Sequence, residues 1–419
     1  MTIRITWKRA IAALLGLALL GMGLAWSGVI NLAASSGHWA ITDWFLHWAM
    51  RNSVRTHAAF TAPKDPADAS GLVSAAGHFA NSCAVCHGAP GQKPAPVMQA
   101  ATPPAPDLSV NAREWTDKQL FWILQHGVKY TGMPAWAVQD RKDEVRRMVA
   151  FVRRLPDMTP AQYRALVAEA SPAIDPDNCT GCHGTDGRGR GAPDIPVLGG
   201  QSPEYLLAAL KGYANGTRSS AVMQQVAMRM EPAEMEAAAR RFAAMPGLGA
   251  KPAGDPAAAQ IVERGLPDQQ LPACVSCHTP GKPYPVIAGQ RASYIAARLR
   301  HWQGDKNVVD ARKSHATMPV IARRIPKDMI DPIARYLAGD GAGGGANKAR
   351  PPLPFPLANA GGPLPSPIGR GGRRESAGRV RVALISNRRS CAPQALAAQA
   401  GSSGKCPGGR QRKPGRAIR

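Results

Sequence analysis

The sequence predicts an all-α protein in which three small tandem domains follow an N-terminal membrane-spanning helix. No segment of residues 60–340 alternates apolar and polar side chains as a half-buried strand does. Apolar residues instead recur at helical spacing near the end of each unit. The number of domains follows from one five-residue motif, Cys-x-x-Cys-His, that recurs at intervals of 96 and 95 residues. A repeat of that length is typical of tandem domains.

Residues 1–37 are predicted to be a membrane anchor. Arg4, Lys8 and Arg9 precede an uncharged, mostly apolar run that is long enough to cross a bilayer. Basic residues before a span favour a cytoplasmic N-terminus, so the domains are expected on the periplasmic side of a bacterial inner membrane. A cleaved signal peptide is the alternative, with small residues such as Ala34 near a cut, although its apolar region is usually shorter.

Residues 38–69 are predicted to form an interfacial segment and linker. Trp39, Trp44 and Trp48 give this segment the amphipathic character of a chain lying at the level of the lipid headgroups. The following Pro, Gly and Ala clusters separate three predicted domains, at 70–157, 173–247 and 256–340.

Each predicted domain ends with an amphipathic helix. The first is expected within residues 140–155, the second begins at Pro232 and the third is opened by Pro326. The last two domains are the more closely related pair, because the hexapeptide ending at Gln201 is echoed by the one ending at Gln290.

Residues 341–419 differ in composition and are expected to be a disordered basic tail. They hold 15 Lys and Arg but one acidic residue, Glu375, and so supply more than half of the net charge of +24. Too little apolar surface is present to offset the entropy of ordering. No DNA- or RNA-binding motif accompanies the charge, so anionic lipid or an acidic redox partner is favoured over nucleic acid. Cys391 and Cys406 lie here without a context that demands pairing.

The repeated motif predicts covalent haem attachment, so three haem c groups are expected. Cysteines at i and i+3 face one side of a helical turn, where two sulfurs can bond the vinyl groups along one porphyrin edge. The next residue then offers its imidazole to the iron. Redox Cys-x-x-Cys pairs need no histidine, and zinc needs further ligands that each unit lacks. The attachment cysteines are Cys83, Cys86, Cys179, Cys182, Cys274 and Cys277, and the iron-ligand histidines are His87, His183 and His278.

Methionine is the expected second axial ligand, since it suits haems that transfer electrons. Met133 precedes a proline 46 residues after His87, whereas Met223 and Met318 both lie 40 residues after the histidine of their unit. The competing interpretation is that these methionines fill gaps in a core. Other candidates are Met98, Met148, Met228, Met230 and Met329, with His315 as an alternative to Met318.

A ligating histidine usually donates its other ring nitrogen to an acceptor. Each unit has a Pro-x-Leu or Pro-x-Ile turn, beginning at Pro106, Pro196 and Pro285, whose carbonyl can accept that bond; an ordinary loop is the alternative.

On these motifs, residues 70–340 resemble three class I cytochrome c domains. The resemblance implies a few helices around each haem, with the haem supplying much of the core. Residues 173–340 are similar to dihaem cytochromes c4. The whole chain resembles the trihaem membrane-bound cytochrome subunits of periplasmic dehydrogenases that oxidise alcohols or sugar acids, but its predicted span is N-terminal.

Three functions remain open at this stage. The first is a membrane-tethered carrier that takes electrons from a quinol-oxidising complex or dehydrogenase and passes them to an oxidase or soluble cytochrome. The second is the cytochrome subunit of a periplasmic dehydrogenase. The third is a multihaem peroxidase, which needs an open iron position. No paired carboxylates, nucleophile motif or phosphate loop supports independent catalysis, so electron transfer is favoured.

Overall fold

A computed structural model of the chain describes residues 6–167, 179–304 and 317–343, without side chains after residue 339. Within these ranges the regular structure is helical and no strand occurs, as predicted, apart from two isolated bridges. The predicted tail, with Cys391 and Cys406, lies outside the described residues except for the end of the last helix.

The α-helices are numbered in chain order: α1 Trp7–Trp26, α2 Ala40–Thr61, α3 Leu72–His78, α4 Ala84–His87, α5 Pro96–Gln99, α6 Leu108–Asn111, α7 Asp117–His126, α8 Lys142–Val152, α9 Pro160–Val167, α10 Thr180–His183, α11 Pro203–Ala214, α12 Ala221–Ala227, α13 Pro232–Ala243, α14 Pro256–Arg264, α15 Ala292–Trp302, α16 Thr317–Arg323 and α17 Ile330–Gly343. Short 3-10 turns occur at Ala34–Ser36, Ala69–Gly71, Ala112–Glu114, Leu155–Asp157, Gly189–Gly191, Pro267–Gln269, Cys274–Ser276 and Lys327–Met329, and a π-helical turn at Phe79–Cys83.

Helix α1 has no buried residue and is, among the described helices, the one long and apolar enough to cross a bilayer. Helix α2 follows after a short connection and docks its C-terminal half on α7, where Val54 and Ala58 are buried. The apolar side chains of its N-terminal half stay exposed. They form a face that lies roughly 110° around the helix axis from the buried side chains of Val54 and Ala58. That face contains Ile41, Trp44, Phe45 and Trp48.

The first core is formed by α3, α7, α8 and α9. Phe79 and Phe151 pack with ring centroids 5.3 Å apart, and Tyr163 of α9 lies 6.5 Å from each ring. Helix α9 thus extends this core past the expected boundary at residue 157. Helix α9 begins at Pro160 because the preceding Thr159 caps its first turn: the Thr159 hydroxyl accepts from the Gln162 N–H.

The predicted terminal helices are present with small shifts. Helix α8 lies within the expected range, and α13 begins at Pro232 as predicted. In the third unit, Pro326 precedes a 3-10 turn, and the α-helix begins only at Ile330. Ile330, Ile333 and Leu337 form the buried face of that helix.

The second unit has the smallest apolar core. Its two core clusters each hold three buried side chains, one around Phe242 and one around Met235. So little side-chain packing leaves room between α11, α12 and α13, and that space belongs to the cavity described next.

Candidate haem sites

The first attachment motif lies on a continuous helical segment. Helix α3, the π-helical turn and α4 run without a break from Leu72 to His87, so Cys83 and His87 are carried on successive turns. Burial, with a smaller contribution from Cys86, raises the pKa of the Cys83 thiol to about 12. A raised pKa keeps this thiol protonated at neutral pH, unlike the low-pKa thiolate of a redox pair.

The ring nitrogens of two predicted iron ligands are fixed by proline carbonyls. The His87 Nδ1–H donates to Pro106 O at 2.8 Å, and the His278 Nδ1–H donates to Pro285 O at the same distance. A carbonyl can only accept, so each bond sets the tautomer and leaves Nε2 for an iron. The predicted contact between the histidine and the proline carbonyl is therefore confirmed in the first and third units. Burial lowers the pKa of both histidines, which favours the neutral, ligating form.

The second and third motifs share one cavity of about 800 Å³. Its size lies in the range of roughly 300–1,000 Å³ usual for cofactor sites. The predicted residues of both units line it: Cys179, Cys182, His183 and Met223 of the second, and Cys274, Cys277, His278 and Met318 of the third. Apolar side chains such as Leu206, Phe242 and Ile333 complete the wall. These residues fit a haem, because thiols, imidazoles and thioethers meet around an apolar space.

The methionine candidates lie in different surroundings. Met223 and Met318 lie on the short helices α12 and α16 at the cavity wall, and Met133 is partly buried against the first core. Met148 is 1% exposed within that core and serves as a filler, while Met228 is 65% exposed to solvent. Met230 also lines the cavity, and Met329 packs in the third core. His315 lies outside the described residues.

The motif cysteines and the other metal-binding side chains can be described in the same ranges. None of the six motif cysteines forms a disulfide there. No group of three or more His, Cys, Asp or Glu side chains in that part of the chain is placed to hold a metal ion by itself.

Comparisons with known proteins agree with the geometry. Residues 71–152 match the family described as Cytochrome C oxidase, cbb3-type, subunit III, and residues 167–271 match the Cytochrome c family. A thiosulfate dehydrogenase electron acceptor from Stutzerimonas stutzeri is 32% identical over 173 residues, which cover 39% of this chain and 79% of the relative. The chain belongs to the class I c-type cytochromes.

Two further relatives resemble this cytochrome over similar lengths. A thiosulfate dehydrogenase electron acceptor from Thiomonas intermedia is 31% identical over 43% of the chain and 83% of the relative. Cytochrome c4 from Azotobacter vinelandii is 30% identical over 38% of the chain and 83% of the relative. The cytochrome c domains of the chain imply covalently bound haem c, and its relatives are electron-transfer proteins.

Sequence reasoning missed two cations in the wall of the cytochrome's shared cavity, the half-buried Arg218 and the buried Arg298. Arg218 donates to the Tyr205 hydroxyl at 3.2 Å and lies over the Tyr213 ring at 4.8 Å. Arg298 also lines the cavity, with its guanidinium over Trp302. A buried guanidinium is suited to pair with a carboxylate, the charged group that a haem carries. No local pattern distinguishes these arginines from surface ones.

The first unit of this cytochrome also touches the second attachment site. A Cβ placed on Gly77 would lie 2.8 Å from Cys182 Sγ, so α3 approaches the second motif as closely as a glycine permits. The same segment carries Cys83 six residues later, which is about 9 Å along a helix. A glycine at position 77 therefore allows the first and second attachment sites to lie close together. Nothing in the local sequence marks Gly77 for this role.

Proposed function

We propose that this cytochrome is a membrane-tethered, trihaem electron carrier facing the periplasm, with the haem-bearing domains at residues 70–157, 173–247 and 256–340. The observation that carries the proposal is the placement of three Cys-x-x-Cys-His motifs, each with a methionine in its unit. Two of the three histidines have the proline-carbonyl contact of an iron ligand.

In this proposal each haem has one histidine and one methionine on its iron. His87 pairs with Met133, His183 with Met223 and His278 with Met318. Methionine ligation suits electron transfer and leaves no position for a substrate. The shared cavity supports the second and third pairs, since all four ligands lie on its wall.

The tether consists of α1 in the bilayer and the exposed apolar face of α2 at its surface. Four apolar side chains at positions i, i+3, i+4 and i+7 form that face, and three of them are aromatic, as is usual at the headgroup level. Because the other half of α2 docks on α7, the helix would hold the first domain next to the membrane. A cleaved signal sequence is the alternative for α1, since it passes the same test of length and composition.

The electron donor proposed is a quinol-oxidising complex or a periplasmic dehydrogenase, and the acceptor an oxidase or a soluble cytochrome. Two relatives named as electron acceptors of thiosulfate dehydrogenase favour a dehydrogenase as donor. The same names support the second candidate, in which the chain is itself the cytochrome subunit of a periplasmic dehydrogenase.

An optical spectrum of the purified full-length protein tests the carrier proposal. Three low-spin haems per chain, a methionine–iron band in the oxidised form and no binding of carbon monoxide are expected. A haem that binds carbon monoxide readily would contradict the proposal and bring the peroxidase hypothesis forward. Two haems per chain would contradict the trihaem assignment.

Membrane tethering has its own test. The mature protein is expected in the membrane fraction, with helix α1 still present at its N-terminal end. A soluble periplasmic form that begins after α1 would show that this segment is a signal peptide. Co-purification with a flavin- or haem-containing dehydrogenase in stoichiometric amount would favour the subunit function over the free carrier.

A further inference from the structure

A carboxylate of the first unit reaches across to the helix that carries Met223. Glu144 lies in α8, and its side chain is 3% exposed. Its Oε1 accepts from the Ser220 hydroxyl at 2.7 Å, and its Oε2 accepts from the Ala221 N–H at 2.9 Å. Ser220 is the residue that precedes α12 and Ala221 is the first residue of that helix; they lie 76 and 77 residues away in sequence.

The contact with Ser220 continues to Met223 itself. Ser220 is the N-cap residue of α12, and its hydroxyl oxygen accepts from the Met223 N–H at 3.1 Å. The one hydroxyl thus donates to Glu144 and accepts from the candidate iron ligand. Ala221, which stands between them, is 2% exposed and packs into the first core. The start of α12 is therefore held by the first unit through both polar and apolar contacts.

Glu144 is also tied to the segment that carries Met133. The Trp136 indole N–H donates to Glu144 Oε2 at 3.3 Å, and Trp136 follows Met133 by three residues. Arg141 pairs with Glu144 at 2.9 Å and donates to Ser219 O at 2.8 Å, just before α12. One buried carboxylate therefore links the two methionine-bearing segments.

We propose that Glu144 is a positioning residue that sets the placement of Met223, the axial ligand of the second haem, from across the domain interface. The proposal rests on the assignment of Met223 as that ligand. Carboxylate acceptors at a helix N-terminus are favourable, and hydrogen bonds from buried donors to a charged acceptor are stronger than those between neutral groups. Movement of α12 changes how its methionine meets the iron, and the potential of a haem follows its axial ligand.

The neighbouring Asp143 provides a matched control. It is buried in the same charged group, but its partners are Arg141 at 2.9 Å and Arg147 at 3.0 Å, with no bond to α12. Asp143→Asn removes one buried charge next to Glu144 and leaves the bonds to Ser220 and Ala221 in place. A general effect of charge and a specific effect on α12 can thus be separated.

The experiment compares Glu144→Gln with Asp143→Asn in the full-length holoprotein. The potential of each haem is measured by spectroelectrochemistry, and the methionine–iron band is followed in the oxidised form. Glu144→Gln places an amide N–H against donors that need an acceptor. We expect it to lower the potential of the second haem and to weaken its methionine–iron band, while the other two haems and Asp143→Asn remain close to wild type. Equal shifts in the two variants, or no shift in Glu144→Gln, would overturn the proposal.

A second variant guards against a failure to fold. Ser220→Ala removes only the hydroxyl between Glu144 and the Met223 N–H, and we expect it to shift the same haem in the same direction. Met223→His separates this proposal from the ligand assignment. If that change leaves the second potential unaltered, Met223 is not the ligand. If it shifts the potential and Ser220→Ala does not, the ligand stands and the positioning role is wrong.

Discussion

The side chain of Gln201 bonds both backbone groups of Val286 in the neighbouring unit. Its Nε2–H donates to Val286 O at 3.1 Å, and its Oε1 accepts from the Val286 N–H at 3.0 Å. Gln290 makes the reciprocal pair with Val197, at 3.0 and 2.8 Å. Val286 follows Pro285, whose carbonyl accepts from His278. Gln201 therefore stabilises the loop that orients the predicted iron ligand of the other unit.

Gln201→Ala is expected to affect the third haem more than the second. The change leaves the buried N–H and C=O of Val286 without partners, which costs on the order of 1–3 kcal/mol per group and loosens the contact that orients His278. Denaturant unfolding and the three potentials measure the effect. Gln303→Ala is the control, because Gln303 donates to Ala322 O and Ile325 O within its own unit. A larger shift in the second haem would contradict this prediction.

Gly77→Ala is expected to destabilise the first two units and to reduce haem attachment at Cys182. Alanine normally stabilises a helix by about 1 kcal/mol relative to glycine, so a loss of stability identifies a steric conflict. The added Cβ would meet Cys182 Sγ at 2.8 Å. Mass spectrometry of intact protein gives the number of haems per chain. Gly132→Ala, where a Cβ meets nothing within 4 Å, is expected to retain wild-type attachment.

Met318→His is expected to lower the potential of the third haem while the haem stays attached, because imidazole replaces the thioether on the iron. Redox titration followed at the haem absorption bands measures the change. Met329→Leu replaces a partly buried methionine of the same core and is expected to leave all three potentials unaltered. An unchanged set of potentials in Met318→His would remove Met318 from the ligand assignment.

His78 is expected to make stability depend on pH. Burial lowers its pKa from 6.5 to about 4. Between pH 6.5 and about 4 the unfolded chain therefore binds more protons than the folded one. The contribution of His78 to the free energy of unfolding is greatest above pH 6.5 and decreases as the pH drops toward 4. The difference amounts to at most about 3 kcal/mol. Denaturant unfolding at pH 7.5 and 5 measures it. His78→Phe should flatten this dependence relative to wild type, and an identical pH profile would contradict the assignment.

Local sequence patterns predicted the helical class, the start of α13 at Pro232 and the proline carbonyls next to His87 and His278. These features depend on residues within about 20 positions of one another, where spacing and capping preferences act. Helix α9 was missed because its stability comes from Tyr163 packing near Phe79 and Phe151, a contact made only after folding.

Contacts between units could not be predicted either. Glu144 and Ser220 are ordinary polar residues in sequence, and only the docking of α8 beside α12 brings them together. The same holds for Gly77 and Cys182, since a glycine near a helix end has many uses. Hydrophobic periodicity shows which face of a helix is buried. It does not show which other helix packs against that face.

The shared cavity of the second and third motifs has a consequence for how the chain would store charge. With a haem on each motif, the two irons would lie in one largely apolar cavity, where charges interact more strongly than in water. An electron residing on either iron would then raise the energy of adding another. Two chemically similar haems would then be reduced at different potentials, and the chain would release their electrons one at a time.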